Sequence, residues 1–262
     1  MQVVINTYGA SIGKHSERLV VREKGEVRHE IPLDELEQLT IASHGVGLSS
    51  DVIEACCERG IQISFLTGAG RPFAQLVAPN LTGTVITRRE QLLAYRDERG
   101  ALLAKALVRA KLKNQAHLLR YFAKYRKAAD PEAFARLSGE SRAIEELAAE
   151  AAGLEGASVD EIRPALLGLE GRAARRYWDA FGLLIGDRAA FPGREHRGAA
   201  DPVNSLLNYG YGILYAQVWA AVLLAGLEPF AGFIHVDRPG KASLVLDLVE
   251  EFRQPIVDRT VQ

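Results

Sequence analysis

Cysteine is scarce in this sequence: two residues among 262, adjacent at Cys56 and Cys57. Vicinal cysteines bridge only with strain, so a disulfide framework is excluded and both are expected to be small buried hydrophobes in a reducing compartment. An excess of either charge is missing too, with 32 Lys and Arg facing 33 Asp and Glu. That excludes a basic packaging protein but not nucleic-acid binding, because a near-zero sum conceals opposed patches. No basic stretch followed by an apolar run opens the chain at Met1-Gln2-Val3-Val4-Ile5-Asn6, so no secretory signal is expected and the chain is placed in the cytoplasm. Only Tyr209 to Leu227 is apolar enough to need a membrane test. Gly210 and Gly212 in its opening turn, Gln217 at its middle and the lack of a basic flank favour a buried core helix over a membrane span. Internal repeats, low-complexity tracts, a Walker loop, CxxC, HExxH and GxSxG are likewise absent. Gly45-Val46-Gly47-Leu48-Ser49-Ser50 lacks the third glycine of a dinucleotide fingerprint and reads as a turn into a helix.

What remains is an ordinary globular composition, long enough for two domains. Residues 1–80 read as short strands: Gln2 to Tyr8, Arg18 to Val21, Glu26 to Ile31 after a Lys24-Gly25 turn, Gln38 to Ala42, Ile61 to Phe65 and Arg71 to Val77. One helix, Asp51 to Arg59, is capped by Ser49-Ser50 and stopped by Gly60. This pattern predicts an N-terminal β-sandwich, mostly antiparallel. Composition shifts after Pro79-Asn80, and residues 81–87 are read as a linker. Residues 88–262 then show helical periodicity, with helices over Arg88 to Arg99, Ala101 to Lys127, Pro131 to Leu137, Arg142 to Ala152, Val159 to Phe181, Pro202 to Leu227 and Ala242 to Phe252. The expectation is an α+β protein of two domains, the second all-α.

Charge is segregated along the helical part. Residues 101–127 carry eight basic residues and no acid, interleaved with Tyr121, Phe122 and Tyr125. Such a helix either tracks a phosphate backbone or is a solvated face paired to the acidic helices that follow. Glu170 lies in an apolar, alanine-rich stretch after Leu166, Leu167 and Leu169, where a carboxylate must be paired, protonated or metal-bound. Arg172, Arg175 and Arg176 on the same helix offer an ion pair. His235 ends the apolar run Phe230-Ala231-Gly232-Phe233-Ile234 and is either a satisfied core residue or a ligand. Asp247 and Glu250, three apart, project from one helix face. Together these groups would form a mostly oxygen-donor set, better suited to Mg²⁺ or Mn²⁺ at a phosphodiester than to structural zinc.

Taken in order, several blocks resemble a known family. They are Gly168-Leu169-Glu170-Gly171, then Asp201-Pro202-Val203-Asn204 with Asn208-Tyr209-Gly210-Tyr211, then Gly232-Phe233-Ile234-His235, then Ser243-Leu244, Asp247-Leu248, Glu250 and Phe252-Arg253. N-terminal blocks agree, among them Ile31-Pro32-Leu33, Arg59-Gly60-Ile61 and Lys113-Asn114-Gln115. The chain is thereby similar, over essentially its whole length, to the CRISPR-associated endonuclease and integrase of spacer acquisition. The resemblance implies an N-terminal β-sandwich through which the protein forms a homodimer, and a helical catalytic domain. It implies Glu170, His235 and Glu250 as catalytic metal ligands for Mg²⁺ or Mn²⁺, with Asp247 auxiliary. It further implies double-stranded DNA, branched or ending in a 3′-hydroxyl, as substrate, and a small ferredoxin-like CRISPR-associated protein as partner. Lys111, Lys113, Arg172, Arg175, Arg238 and Lys241 are the candidate DNA contacts. Asn204, Tyr209 and Tyr211 either support the site by hydrogen bonds or simply pack. A DNA-binding scaffold without turnover and a related transposon integrase are the alternatives. Family members continue with further helices beyond Asp258-Arg259-Thr260-Val261-Gln262, so weaker DNA or partner binding is expected of a chain without them.

Overall fold

The computed structural model describes residues 1–68, 70, 72–76, 85–195 and 200–262. The predicted boundary at Pro79-Asn80 and residues 81–84 of the predicted linker lie outside the described residues. The chain divides into two compact units, Met1–Thr82 and Gly83–Gln262.

In the first unit, short β-branched runs form β1 (Gln2–Ile5), β2 (Ser11–His15), β3 (Arg18–Glu23), β4 (Glu26–Pro32), β5 (Gln38–Ile41), β6 (Gly47–Leu48), β7 (Gln62–Leu66) and β8 (Pro72–Leu76). Lys24 and Gly25, both at positive φ (52° and 86°), make the tight β3–β4 turn. The helix α1 (Ser50–Glu58) starts where Ser49 Oγ accepts from the Val52 N–H and ends before Gly60 at φ 69°. One sheet has the order β1-β5-β7-β8 and the other β4-β3-β2-β6. Their apolar faces share one core with α1, including Ile12, Leu19, Leu39, Val52 and Ile63.

The expectation of mostly antiparallel strands is corrected: β1–β5, β5–β7 and β2–β6 pair in parallel. The cause lies in the connections. Segment β5 reaches β7 through a crossover containing α1, and β1 reaches β5 only after β2–β4 have been laid into the other sheet; such excursions return the chain in its original direction. Strands β2 and β6 escaped the sequence reading because Gly13, Lys14 and Gly47 break the apolar alternation. Cys56 is buried as expected, whereas Cys57 is only half-buried.

In the second unit, α3 (Glu98–Ala123) is the central rod, started by Asp97, whose side chain accepts from the Arg99 N–H. Its fully buried Leu112, Ala116 and Leu119 belong to a core shared with α4 (Pro131–Ala152), α5 (Val159–Ile185), α6 (Pro202–Leu224) and α7 (Ser243–Phe252), with α2 (Val85–Ala94) leading into α3. Helix α7 runs on into a π-helical turn, Arg253–Asp258, and a last turn at Arg259–Val261.

Two expectations change here. The segments Pro131–Leu137 and Arg142–Ala152 are one helix, because Ser141 turns inward and its Oγ donates to the Ala116 carbonyl at 2.9 Å. Burial of Leu137, Ser141 and Ile144 offsets the roughly 1 kcal/mol that a mid-helix glycine costs at Gly139. Helix α6 is not buried all round, since Leu206, Tyr209, Ile213 and Leu224 are exposed. Among the described residues no helix is long and apolar enough to cross a membrane.

Candidate active site

Three helices converge on one ammonium group. Lys111 projects from α3, and its Nζ lies 2.5 Å from Glu170 Oε1 of α5 and 2.7 Å from Glu250 Oε2 of α7. All three side chains are largely buried, at 11%, 19% and 11% exposure. The Glu250 Oε2 takes no aligned hydrogen bond, so its contact with Lys111 is one of charge. Its other oxygen accepts from Arg253 Nη1 at 2.5 Å. Burial works to raise the Glu250 carboxyl pKa, but the charges of Lys111 and Arg253 outweigh it and hold the group below its ordinary value. Burial likewise works against the charged form of Lys111, and the carboxylates of Glu250 and Glu170 outweigh it and hold the ammonium above its ordinary range. Glu250 and Lys111 therefore each favour the charged form of the other.

The ion pair expected between Glu170 and a neighbouring arginine is not what forms. Arg172 and Arg176 lie on the exposed side of α5 and pair with Glu150 and Glu140 of α4. Arg175 is exposed. Residues i+2, i+5 and i+6 cannot curl back to the face that Glu170 presents to α3.

His235 is the second element, held on the loop between α6 and α7. Asp247 of α7 is completely buried and organises that loop. Its Oδ2 accepts from the N–H groups of Phe233 (2.6 Å) and Ile234 (3.0 Å), and its Oδ1 accepts from the His235 N–H (2.9 Å). The same Oδ1 lies 2.7 Å from His235 Nδ1. A carboxyl oxygen at that distance assigns the proton to Nδ1 and leaves Nε2 with a lone pair. The loop approaches so closely that a Cβ on Gly232 would stand 2.7 Å from Asp247 Oδ2 and from Ser243. Only in its protonated form, without that lone pair, would His235 add to the pull that lowers the Glu250 carboxyl. Asp247 and Glu250 share a helix face, as the spacing predicts, but Asp247 serves the loop whereas Glu250 meets the cations.

A second buried cluster adjoins the first through Arg253, whose guanidinium lies 4.6 Å from the Tyr211 ring centroid. Asp258, in the π-helical turn, accepts from Tyr177 Oη at 2.6 Å and from Tyr211 Oη. Burial pushes the Asp258 carboxyl up to about 6 against the opposing pull of these hydroxyls and of Arg253 and Arg194. Tyr211 is thus a hydrogen-bonding support, and Asn204 is one as well, fully buried and bonded to Asp201, Gly193 and Arg194. Tyr209 is exposed.

Of the candidate DNA contacts, Lys113, Arg175 and Arg238 are exposed and Lys241 is partly so. Arg172 is engaged with Glu150. Lys111 is turned inward. Reading from the sequence missed its position, although a signal exists: Leu107, Lys111 and Gln115 follow one another at four-residue steps along the buried stripe of α3. Arg253 stood in the resemblance only as part of the Phe252-Arg253 block, with no role of its own; Asp258 and Tyr177 were given no role either, and nothing in spacing alone singles them out.

Among the described residues no three acidic, imidazole or thiol side chains converge on one point as a ready metal cage. The donor set nonetheless fits a hard divalent ion in kind: two carboxylates already sharing a cation, one buried carboxylate oxygen without an aligned donor, and an imidazole with its Nε2 lone pair left open.

A sequence model of the CRISPR associated protein Cas1 family matches residues 3–262. The chain belongs to that family. It is 41% identical to the CRISPR-associated endonuclease Cas1 1 of Archaeoglobus fulgidus, covering 100% of this chain and 77% of the relative. It is 40% identical to a protein of the same name from Pyrobaculum aerophilum, covering 100% of this chain and 81% of the relative. Two solved structures share the fold: a casposase bound to integration product (TM-score 0.79, 24% identity, 99% of this chain and 71% of that one), and a Cas6-RT-Cas1–Cas2 complex (TM-score 0.77, 23% identity, 100% of this chain and 27% of that one). Placing the chain in the Cas1 family agrees with the resemblance carried by its ordered blocks.

Proposed function

We propose that this protein is a metal-dependent DNA endonuclease and integrase that inserts short DNA fragments into a CRISPR repeat array, a 3′-hydroxyl attacking a phosphodiester. The observation that carries the reading is the sharing of one cation by Glu170 and Glu250 beside a histidine whose tautomer is fixed, in a chain whose relatives are named endonucleases.

In this reading Glu170, Glu250 and His235 Nε2 hold a single Mg²⁺ or Mn²⁺. When bound, such an ion would supply polarisation of the phosphodiester and would offset charge that develops during displacement. The chain's own residues do the rest. Asp247 keeps the proton on Nδ1, so that the imidazole presents a lone pair rather than an N–H. Arg253 fixes one oxygen of Glu250 and leaves the other aimed at the shared position. Lys113, Arg238 and Lys241 grip backbone phosphates without reading bases, which makes affinity fall steeply with salt. The N-terminal unit pairs two copies, and a small ferredoxin-like protein joins two such dimers; double-stranded DNA, branched or ending in a 3′-hydroxyl, is the substrate.

The test is cleavage and joining of a 3′-hydroxyl duplex to a supercoiled target with Mn²⁺ and with chelator. Glu170→Ala and His235→Ala are each expected to abolish product while the circular dichroism spectrum keeps its helical signal. Wild-type activity in the double variant refutes the assignment. A second reading, a DNA-binding scaffold without turnover, is favoured by one observation: an ammonium, not a gap, lies between the two glutamates. A scaffold binds DNA equally well in chelator and breaks no strand.

A further inference from the structure

The position between Glu170 and Glu250 is filled by a charge of the protein's own. Lys111 reaches it from the middle of α3, through the buried stripe formed by Leu107, Leu112 and Gln115. Two acids, Glu170 and Glu250, face two bases, Lys111 and Arg253, so this buried group is neutral as it stands. Adding a divalent ion with the ammonium in place would set like charges within a few ångströms of each other in a poorly solvated site. At such separations the repulsion stays strong even at an effective dielectric constant of about 20. Arg253 is tied to the far oxygen of Glu250 and stacked on Tyr211, so it is the less free of the two bases to yield. Lys111, with a flexible four-carbon stem and its Nζ held, among the described residues, by the two carboxylates alone, is the one able to swing out.

We propose that Lys111 is an internal counter-cation: the divalent ion enters by exchange with its ammonium, and Lys111 thereby sets how tightly the site binds metal. The proposal rests on the reading that Glu170, Glu250 and His235 hold the ion. Lys111 is on this view a positioning residue that keeps two buried carboxylates together until metal arrives. It is not a contact to the DNA backbone in the metal-free protein. Exchange also explains why no ready three-ligand cage is found among the described residues: the carboxylates are arranged around an ammonium, and the imidazole is left outside its reach of hydrogen bonds.

The experiment uses the whole protein and Mn²⁺ alone. Free Mn²⁺ is counted by electron paramagnetic resonance in titrations of wild type, Lys111→Met, Lys111→Arg and Glu170→Gln. In parallel, amine labelling followed by mass spectrometry reads the accessibility of Lys111 in the wild type, so the outcome does not depend on a variant folding. Lys111→Met is expected to bind Mn²⁺ at least tenfold more tightly than wild type. Lys111→Arg, which keeps the charge, should bind no more tightly. Labelling of Lys111 should be slow in chelator and rise several-fold once Mn²⁺ saturates the protein. Unchanged labelling on saturation, or equal affinity in Lys111→Met, overturns the exchange. If instead Glu170→Gln binds Mn²⁺ as wild type does, the assignment of the metal ligands fails, and the exchange with it.

Discussion

Two buried acidic centres stand side by side in the helical unit, and they solve the same problem differently. At Glu170 and Glu250 the negative charge is met by full positive charges, Lys111 between the carboxylates and Arg253 at the rim. At Asp258 it is met chiefly by neutral hydroxyls, those of Tyr177 and Tyr211. The first arrangement holds the Glu250 carboxyl below its ordinary value; the second raises that of Asp258 to about 6. A carboxylate paired with a cation can trade that cation for another, whereas a carboxylate capped by hydroxyls has no charge to release. The contrast separates the charge-paired centre between α3, α5 and α7 from the one that fastens the end of α7 and the π-helical turn to α5 and α6.

The largest expected effect breaks the first centre. In chelator, Lys111→Ala leaves two buried carboxylates without their shared partner and should lower unfolding free energy by about 3–5 kcal/mol, measured by urea titration. A loss under 1 kcal/mol would mean that water reaches the site and that the contrast is unfounded. The second effect sharpens the contrast through pH. Because the folded-state pKa of Asp258 is raised, the native protein binds the extra proton between the unfolded value of 3.8 and about 6. Stability from this group is therefore present at low pH and is lost as pH rises through about 6, by on the order of 3 kcal/mol. Glu250 contributes with the opposite sign, since its lowered pKa makes its stabilisation disappear as pH falls. Asp258→Asn should remove the downward slope between pH 4 and 6 in a series of chemical denaturation curves; an unaltered slope would assign it to another group. The smallest effect is a control outside both centres. Arg172 and Glu150 pair at 3.0 Å but are about half exposed, so Arg172→Ala should cost less than about 1 kcal/mol and should fade with added salt.

Much of the architecture could be read from local pattern. The Lys24-Gly25 turn, the capped helix after Ser49 and the long helices beginning at Pro131, Val159 and Pro202 all follow from turn chemistry, capping residues and periodicity over a few residues. Parallel strand pairing could not be read that way, because direction depends on where a connection returns rather than on the strand itself. The site was legible in part. Glu170 stood out as a carboxylate in an apolar stretch, and the i, i+3 spacing put Asp247 and Glu250 on one face. That Asp247 would spend its four contacts on the His235 loop, and Glu250 its two on bases, was not legible. Nor was the partner of Glu170, since nearby Arg172 and Arg176 looked nearer in sequence than Lys111, fifty-nine residues away.

The sequence by itself determined the family, the helix and turn boundaries set by caps and glycines, and the residue types capable of metal and phosphate chemistry. Those properties are local, or are carried by ordered blocks along the chain. Only the tertiary structure decided which of eight basic residues in the run through α3 turns inward, which acids it joins, and which buried carboxyl is left with hydroxyls for company. Charges in a poorly solvated interior interact according to distance in space, and the packing of α3 against α5 and α7 sets that distance.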